Sequence, residues 1–369
     1  MESHDWAVVP TSTSEYIKKV LAQYRLAEVE QILENGVAKV NRVYLVLLGD
    51  GKKYVLRKSY IPVDGPLNRA NHTNHLLFEA ELLQFLESRN FSLTPHIILN
   101  QLSLPISLHG GEQFMLFSFL PGSREGSWNN LSRMKNERWV GVFGSLGSFA
   151  KAVQAFRPRH VVKEKTLLDF TKESLNTIEK LEWKLQGESR ELFSENLPQL
   201  KSFVKETLDI FELIHYNTLP RQVVHFDYHI GNINFSNNEV VGIMDFDWCR
   251  IDYRFADIAS GIGLACPYEG RHCGVLDTNF IALAIKSYYQ SYGKSEYNED
   301  VEPLLLEAAL RAYLLFQCLY TFQCCAQGTE KNLHSARFAF NTLFQNDFRS
   351  LVKNAYAIYN SSFHSFSTS

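Results

Sequence analysis

The sequence carries no excess of charge of either sign: 37 Lys and Arg stand against 40 Asp and Glu, a formal net charge of -3. Neither a basic nucleic-acid footprint nor a highly anionic solvating chain is expected from that balance. No run of about 18 apolar residues is evident. The most apolar late stretch, 312–325, is broken by Gln317 and Gln323, so no membrane partner is expected. The first residues, Met1 to Trp6, lack a basic segment followed by an apolar one. The expectation is therefore a cytoplasmic protein without a secretory leader. Cysteine is sparse, with six residues: Cys249, Cys266, Cys273, Cys318, Cys324 and Cys325. Cys266 and Cys273, with His272 beside the second, have neither the CxxC spacing nor the second pair of a zinc site. Four of the six lie in apolar or aromatic runs, which predicts buried free thiols.

What is present is an ordinary globular composition, 45% hydrophobic and 13% aromatic over 369 residues, enough for two domains or one large bilobed one. Apolar spacing predicts a helix over 14–26, on Tyr16, Ile17, Val20, Leu21 and Tyr24. Two β-prone runs, 37–48 and 53–57, flank Gly49-Asp50-Gly51, a hairpin signal. A polar loop over 59–74, a helix over 75–88 and β runs near 96–108 and 112–120 follow. The second half reads as helices at 136–156, 168–182, 196–217, 276–292, 301–327 and 332–360, with a β-rich insert at 222–246. The class is α+β: a tail and helix over 1–26, a small β-rich N-lobe over 27–120, and a larger, mainly helical C-lobe over 121–369.

The segment richest in chemistry runs from Val223 to Phe235, an apolar pair leading into a polar cluster and back to an apolar strand. It presents Asp227 and Asn232 from one loop, and after a turn at Ser236-Asn237-Asn238 the next strand ends on Asp245. Phosphoryl transfer asks for such groups: hard oxygen ligands for a divalent metal, and a carboxylate that orients or deprotonates the attacking hydroxyl. Asp and Asn are also common turn residues, which is the plain alternative.

The pattern His225-x-Asp227-x-His229-x-Gly231-Asn232, followed by Asp245-Phe246-Asp247, resembles the aminoglycoside phosphotransferase and choline kinase-like family, which includes type II homoserine kinases. Phe226 replaces the family's usual Gly, and Ile230 its usual Pro. The resemblance implies a bilobed protein-kinase-like fold, with catalytic loop 223–235 and metal segment 243–248. It implies ATP and Mg²⁺ as cofactors, and as partners a nucleotide and a small-molecule hydroxyl acceptor such as an amino alcohol, aminoglycoside or homoserine. Asp227 is the implied base, and Asn232 and Asp245 the implied metal ligands. Arg57 is the implied phosphate contact, with Glu79 as its helix partner and Glu81 in reserve. Asn41, in the phosphate-covering segment 35–42, and Phe119, in the adenine-bordering segment 117–120, complete the nucleotide side. Asp247, His229 and Trp248 are the acceptor candidates, with Asp252 or Glu269 to meet a cation. Tyr253 and Tyr268, with Trp248 and Phe119, could wall the acceptor. His225 and Asp257 are read as supports of the loop.

Other classes remain. His225, Asp227 and His229 alternate on one side of an extended segment and would suit a metal-dependent hydrolase. A catalytically inactive kinase-like binding protein is a further alternative. A protein kinase fits less well, because Asp247 stands where that family has the glycine of Asp-Phe-Gly.

Overall fold

A computed structural model describes residues 6–36, 41–59, 69–124, 134, 136–160, 165–266, 273–295, 297, 300–328 and 333–364. The chain divides into two compact units. The first comprises 1–124, 155–163 and 233–247; the second comprises 125–154, 164–232 and 248–369. The division is therefore not a single cut near residue 120. The segment ending on Asp245 and Asp247 belongs with the β-rich unit, not with the helices.

The first unit is built on an antiparallel sheet. Its strands are β1 (Trp6–Val8), β2 (Val29–Asn35), β3 (Arg42–Leu48), β4 (Lys53–Ser59), β5 (Ile97–Ile98), β6 (Ser107–His109) and β7 (Glu112–Ser118). They run in the order β1-β2-β3-β4-β7-β5, with β6 also on β7. The Asp-Gly signal holds: Gly51 takes φ 81° at the tip of the β3–β4 hairpin, and Lys52 N–H donates to Asp50 Oδ1 at 3.1 Å. Strand β2 was not expected from the sequence, and residues 37–40 of the expected strand lie outside the described residues. Helix α1 (Thr11–Leu21) buries Ile17, Val20 and Leu21 against Tyr44, Val46 and Leu56 of the sheet. The expected N-terminal helix is thus part of this core, and Trp6–Val8 of the expected tail pair antiparallel with β2.

Successive residues of a strand face opposite ways. Leu56 therefore faces the α1 side, and Arg57, paired in register with Val43 and Met115, faces the other. There it meets α2 (Arg69–Ser88), which begins six residues before the expected start at 75. Residues 60–68 of the expected loop lie outside the described residues. Segment 155–160 is fastened to α2 by Phe156 against Phe85, with ring centroids 5.2 Å apart, and by Glu81, which accepts the N–H groups of Arg159 and His160. Strands β8 (Ser123–Arg124), β10 (Ile233–Ser236) and β11 (Glu239–Ile243) form a second, three-stranded sheet of this unit.

The second unit holds helices α3 (Asn136–Ala152), α4 (Leu167–Lys184), α5 (Gly187–Glu195), α6 (Leu197–Leu213), α7 (Phe255–Leu264), α8 (Thr278–Tyr292), α9 (Val301–Ala326), α10 (Leu333–Phe344) and α11 (Phe348–His364). Strands β9 (Gln222–Val224) and β12 (Arg250–Asp252) pair antiparallel. Helices α3 and α8 approach closely at Gly147, where a Cβ would strike the Tyr288 carbonyl. The single helix expected over 332–360 is two helices. Asn346 donates to the Thr342 carbonyl at 2.7 Å in the last turn of the first, and Asp347 caps the second, accepting Ser350 N–H at 3.1 Å.

By length and composition α9 could cross a membrane, against the expectation that no stretch would qualify. Its most apolar window is 72% buried within the fold, which makes it the core helix of the unit. Cys249, Cys266 and Cys318 are buried free thiols; Cys273, Cys324 and Cys325 are partly exposed, so fewer thiols are buried than the apolar runs implied.

Candidate active site

The second unit carries the His-x-Asp loop. Strand β9 delivers His225 and Phe226 to the start of α7, where Asp257 accepts both backbone N–H groups, at 2.9 and 2.7 Å. Full burial pushes the Asp257 carboxyl up to about 7, against the pull of those two donors. Ser260 accepts Tyr228 N–H at 3.1 Å, and the Tyr228 hydroxyl donates to the Val142 carbonyl at 2.6 Å. The loop is thus fastened from two helices.

Asp227, half-buried, is held by its own loop. Asn232 Nδ2 donates to the Asp227 carbonyl at 2.9 Å and to its Oδ2 at 3.1 Å. Gly231 N–H donates to His229 Nδ1 at 3.0 Å, so the ring proton sits on Nε2, which lies 3.5 Å from Asp227 Oδ2. Residue 231 must be glycine for this arrangement, because a Cβ would sit 2.8 Å from the His229 ring. Burial alone would raise the Asp227 pKa, but His229, His225 and Asn232 outweigh it and hold the carboxyl below its ordinary value. Because Asn232 spends its amide nitrogen on Asp227, its oxygen is the end that suits a hard cation.

Phe226 adopts φ 65°, a left-handed conformation that a bulky side chain rarely takes. A glycine is the natural residue for that turn. Its ring is 1% exposed and lies under the Arg250 guanidinium, whose carbon is 3.8 Å from the ring centroid.

The first unit carries a separate charged group. Arg57 on β4 and Glu79 on α2 form a bidentate pair, with one bond of 3.0 Å, and both are buried. Arg57 also contacts Asp247 and stacks over Phe117 at 5.1 Å. Burial would depress the Arg57 pKa, but Asp247 and Glu79 reverse that and hold it above its ordinary value, with a smaller effect from Asp245. Burial pushes Glu79 upward against the pull of Arg57. Asn41 donates to the second carboxylate oxygen of Asp247, and His75 Nε2 meets the Asp247 carbonyl. Asp245 itself is exposed and takes φ 65°.

The structure thus joins Arg57 with Glu79, while Glu81 serves Arg159 and His160 instead. Asp247 is committed to Arg57 and Asn41, not to an acceptor. Asp252 is fully buried and accepts from Leu167 N, Tyr253 N and the Tyr216 hydroxyl, which removes it as a partner for an acceptor cation. Tyr253 is core, Trp248 is 36% exposed, and Tyr268, Glu269 and His272 lie outside the described residues. Phe119 lies half-buried after β7, with Lys53 Nζ 5.7 Å from its ring centroid. Of the three residues named for the hydrolase alternative, His225 is fully buried while Asp227 and His229 are partly exposed.

Sequence reasoning missed His75, which was read only as the first residue of the helix over 75–88. It also missed Asn234, whose amide donates to the Leu120 and Pro121 carbonyls and so fixes the chain after Phe119. An Asn inside an apolar strand was the available signal.

Residues 35–288 match the phosphotransferase enzyme family. The homoserine kinase of Zymomonas mobilis is 27% identical over 153 residues, 41% of this chain and 47% of that protein. The match therefore spans just under half the length of this curated relative. Among solved structures, the aminoglycoside phosphotransferase of Alicyclobacillus acidocaldarius superposes with a TM-score of 0.59 at 14% identity, covering 97% of this chain and 96% of that one. An amicoumacin kinase in complex with AMP-PNP, Ca²⁺ and its ligand superposes with a TM-score of 0.61 at 16% identity, covering 92% and 93%. The fold of the chain is the one these kinases share.

Proposed function

This chain belongs to the phosphotransferase enzyme family, and on that premise we propose that it transfers the γ-phosphate of ATP to a hydroxyl of a small molecule. The observation that carries the reading is the fixed carboxylate of Asp227, held by Asn232 and His229 on a loop clamped by Asp257. A carboxylate so restrained orients an acceptor hydroxyl for in-line attack. Its lowered pKa keeps it ionised and makes it a weak base. That suits a transition state in which bond breaking runs ahead of proton removal.

Arg57 is assigned to the phosphates, with Glu79 fixing its guanidinium plane; Phe119 is assigned to the border of the adenine. Asn41 and Asp247 hold Arg57 from the other side. The hard oxygens of Asn232 and Asp245 are the proposed donors for Mg²⁺, which when bound supplies charge neutralisation at the phosphates. His229 orients Asp227 through its Nε2 proton and is assigned to that task, not to the acceptor.

The test is consumption of Mg-ATP by the full chain against choline, ethanolamine, homoserine and aminoglycosides, with Asp227→Ala as control. Transfer to an acceptor that disappears in the variant supports the reading. Failure to bind Mg-ATP at all, or full turnover in the variant, would overturn it.

A further inference from the structure

We infer that the leucine-bearing turn over 99–108, which follows β5 and runs into β6, is a docking surface for a phospholipid bilayer. The inference goes beyond the phosphotransferase reading and does not depend on it.

The surface lies wholly within the first unit. Leu99, Leu102, Leu104 and Leu108 are 38%, 78%, 50% and 62% exposed. They are four of the twelve large apolar side chains exposed among the described residues, and they fall within ten consecutive positions. Single exposed leucines are ordinary, whereas a gathered set marks a contact surface. Residues 91–111 contain no Asp, Glu, Lys or Arg. The turn can therefore leave water without stripping a charged side chain of its hydration.

The turn is braced from within and from α1. Buried Asn100 accepts Leu102 N–H and Leu104 N–H on Oδ1, both at 3.0 Å, and its Nδ2 donates to Ser107 Oγ at 3.2 Å. Its own N–H donates to the Leu104 carbonyl at 2.9 Å. Gln101 N–H donates to the Gln23 carbonyl at 2.8 Å, and Gln23 Nε2 donates to the Leu108 carbonyl at 3.1 Å. Gln23 thus ties Leu108 to the Leu102 end of the turn, and the leucines form one patch.

The bracing also decides the partner. These backbone groups are spent, so an added strand could not take them. Four leucines fall well short of the roughly 20–30 residues a side of a standard protein interface. A bilayer asks for less: apolar side chains already held in place, which enter the acyl boundary, and cations at headgroup level. Lys19 stands three residues after Tyr16 and four before Gln23, the two side chains that reach from α1 and its C-terminal turn to the carbonyls of His109 and Leu108. Arg25 follows Tyr24, whose carbonyl accepts from Gln101 Nε2 at 3.5 Å. Both cations are exposed. Over 11–28, Lys18, Lys19 and Arg25 outnumber Glu15 and Glu28, which suits an anionic headgroup layer. Such a contact needs no membrane-spanning run.

The experiment is sedimentation of the full chain with sucrose-loaded vesicles of phosphatidylcholine, with and without phosphatidylserine. The chain should sediment with both, and a few-fold more with the anionic vesicles. Leu102→Gln with Leu108→Gln should lower the partition coefficient at least about tenfold, and Leu99→Gln with Leu104→Gln should repeat the loss. Thermal unfolding should stay that of the parent, because all four side chains face solvent. Leu213→Gln, at an exposed leucine of α6, should leave binding unchanged. Lys19→Gln with Arg25→Gln should remove the preference for phosphatidylserine and keep binding to phosphatidylcholine. No sedimentation with either vesicle, unchanged binding in both leucine pairs, or an equal loss in Leu213→Gln would overturn the inference. A dimer that forms without vesicles and is lost in the leucine pairs would overturn it too, and would assign the turn to a second copy of the chain.

Discussion

The Arg57 group of the first unit and the Asp227 loop of the second both fix a charged side chain, and they do it in opposite ways. Arg57 is held by partners far away in the chain: Glu79 is 22 residues on and Asp247 190 residues on. Asp227 is held chiefly by Asn232, five residues on, and His229, two residues on. Its distant braces act on the neighbouring residues: Asp257 grips the backbone of the two preceding residues, and Ser260 that of the one following. A buried ion pair between distant elements needs the whole sheet and α2 in place before it exists. A hydrogen-bonded loop carries its geometry in its own spacing, so damage to it should be felt in chemistry before stability.

Four substitutions sharpen that contrast, and the largest effect is expected at the loop's centre. Asp227→Ala should cut phosphate transfer by about 10²–10⁴-fold while ATP binding and thermal stability stay close to those of the parent. A steady-state assay beside a nucleotide titration checks this, and a fall in stability equal to the fall in rate would erase the distinction. Arg57→Met should act on the fold: it leaves Glu79 buried without its cation, at a cost of about 3–5 kcal/mol in denaturant unfolding. Weakened nucleotide binding should accompany it.

Phe226→Gly tests the departure from the family pattern. Relief of the left-handed backbone is worth about 1–2 kcal/mol, and loss of the buried ring costs about 3–5, so a net destabilisation of about 2 kcal/mol is expected. A more stable variant would show that the ring contributes little against Arg250.

The smallest effect is a pH dependence. The folded pKa of Asp257, about 7, lies above its unfolded value of 3.8. Its contribution to stability is therefore fully present below about pH 4 and is lost as pH rises through about 7. Unfolding of Asp257→Asn measured at about pH 5 and pH 8 should show a shallower decline than the parent. An identical decline would assign the slope to another buried acid, of which Glu302, also pushed to about 7 by burial, is the candidate.

The same contrast explains what was legible before any fold was seen. The hairpin around Gly51 and most helices follow from local pattern, because turn chemistry and apolar period act over a few residues. The break at Asp347 was written in a capping residue but was masked by apolar spacing that runs through both helices. Asp252 was named from its residue type alone, as a carboxylate that could meet an acceptor cation. Only the chain end of α4, brought to β12, shows it spent on Leu167.

The sequence by itself determined the α+β class, the family pattern and the short-range lock of Asp227 by Asn232, since eight consecutive residues contain every group that lock requires. Tertiary structure alone decided that Asp247 serves Arg57, that Phe226 endures a left-handed backbone beneath Arg250, and that the segment ending on Asp245 and Asp247 belongs with the β-rich unit. Those outcomes depend on burial and on side chains meeting beyond any local spacing, and no local period encodes either.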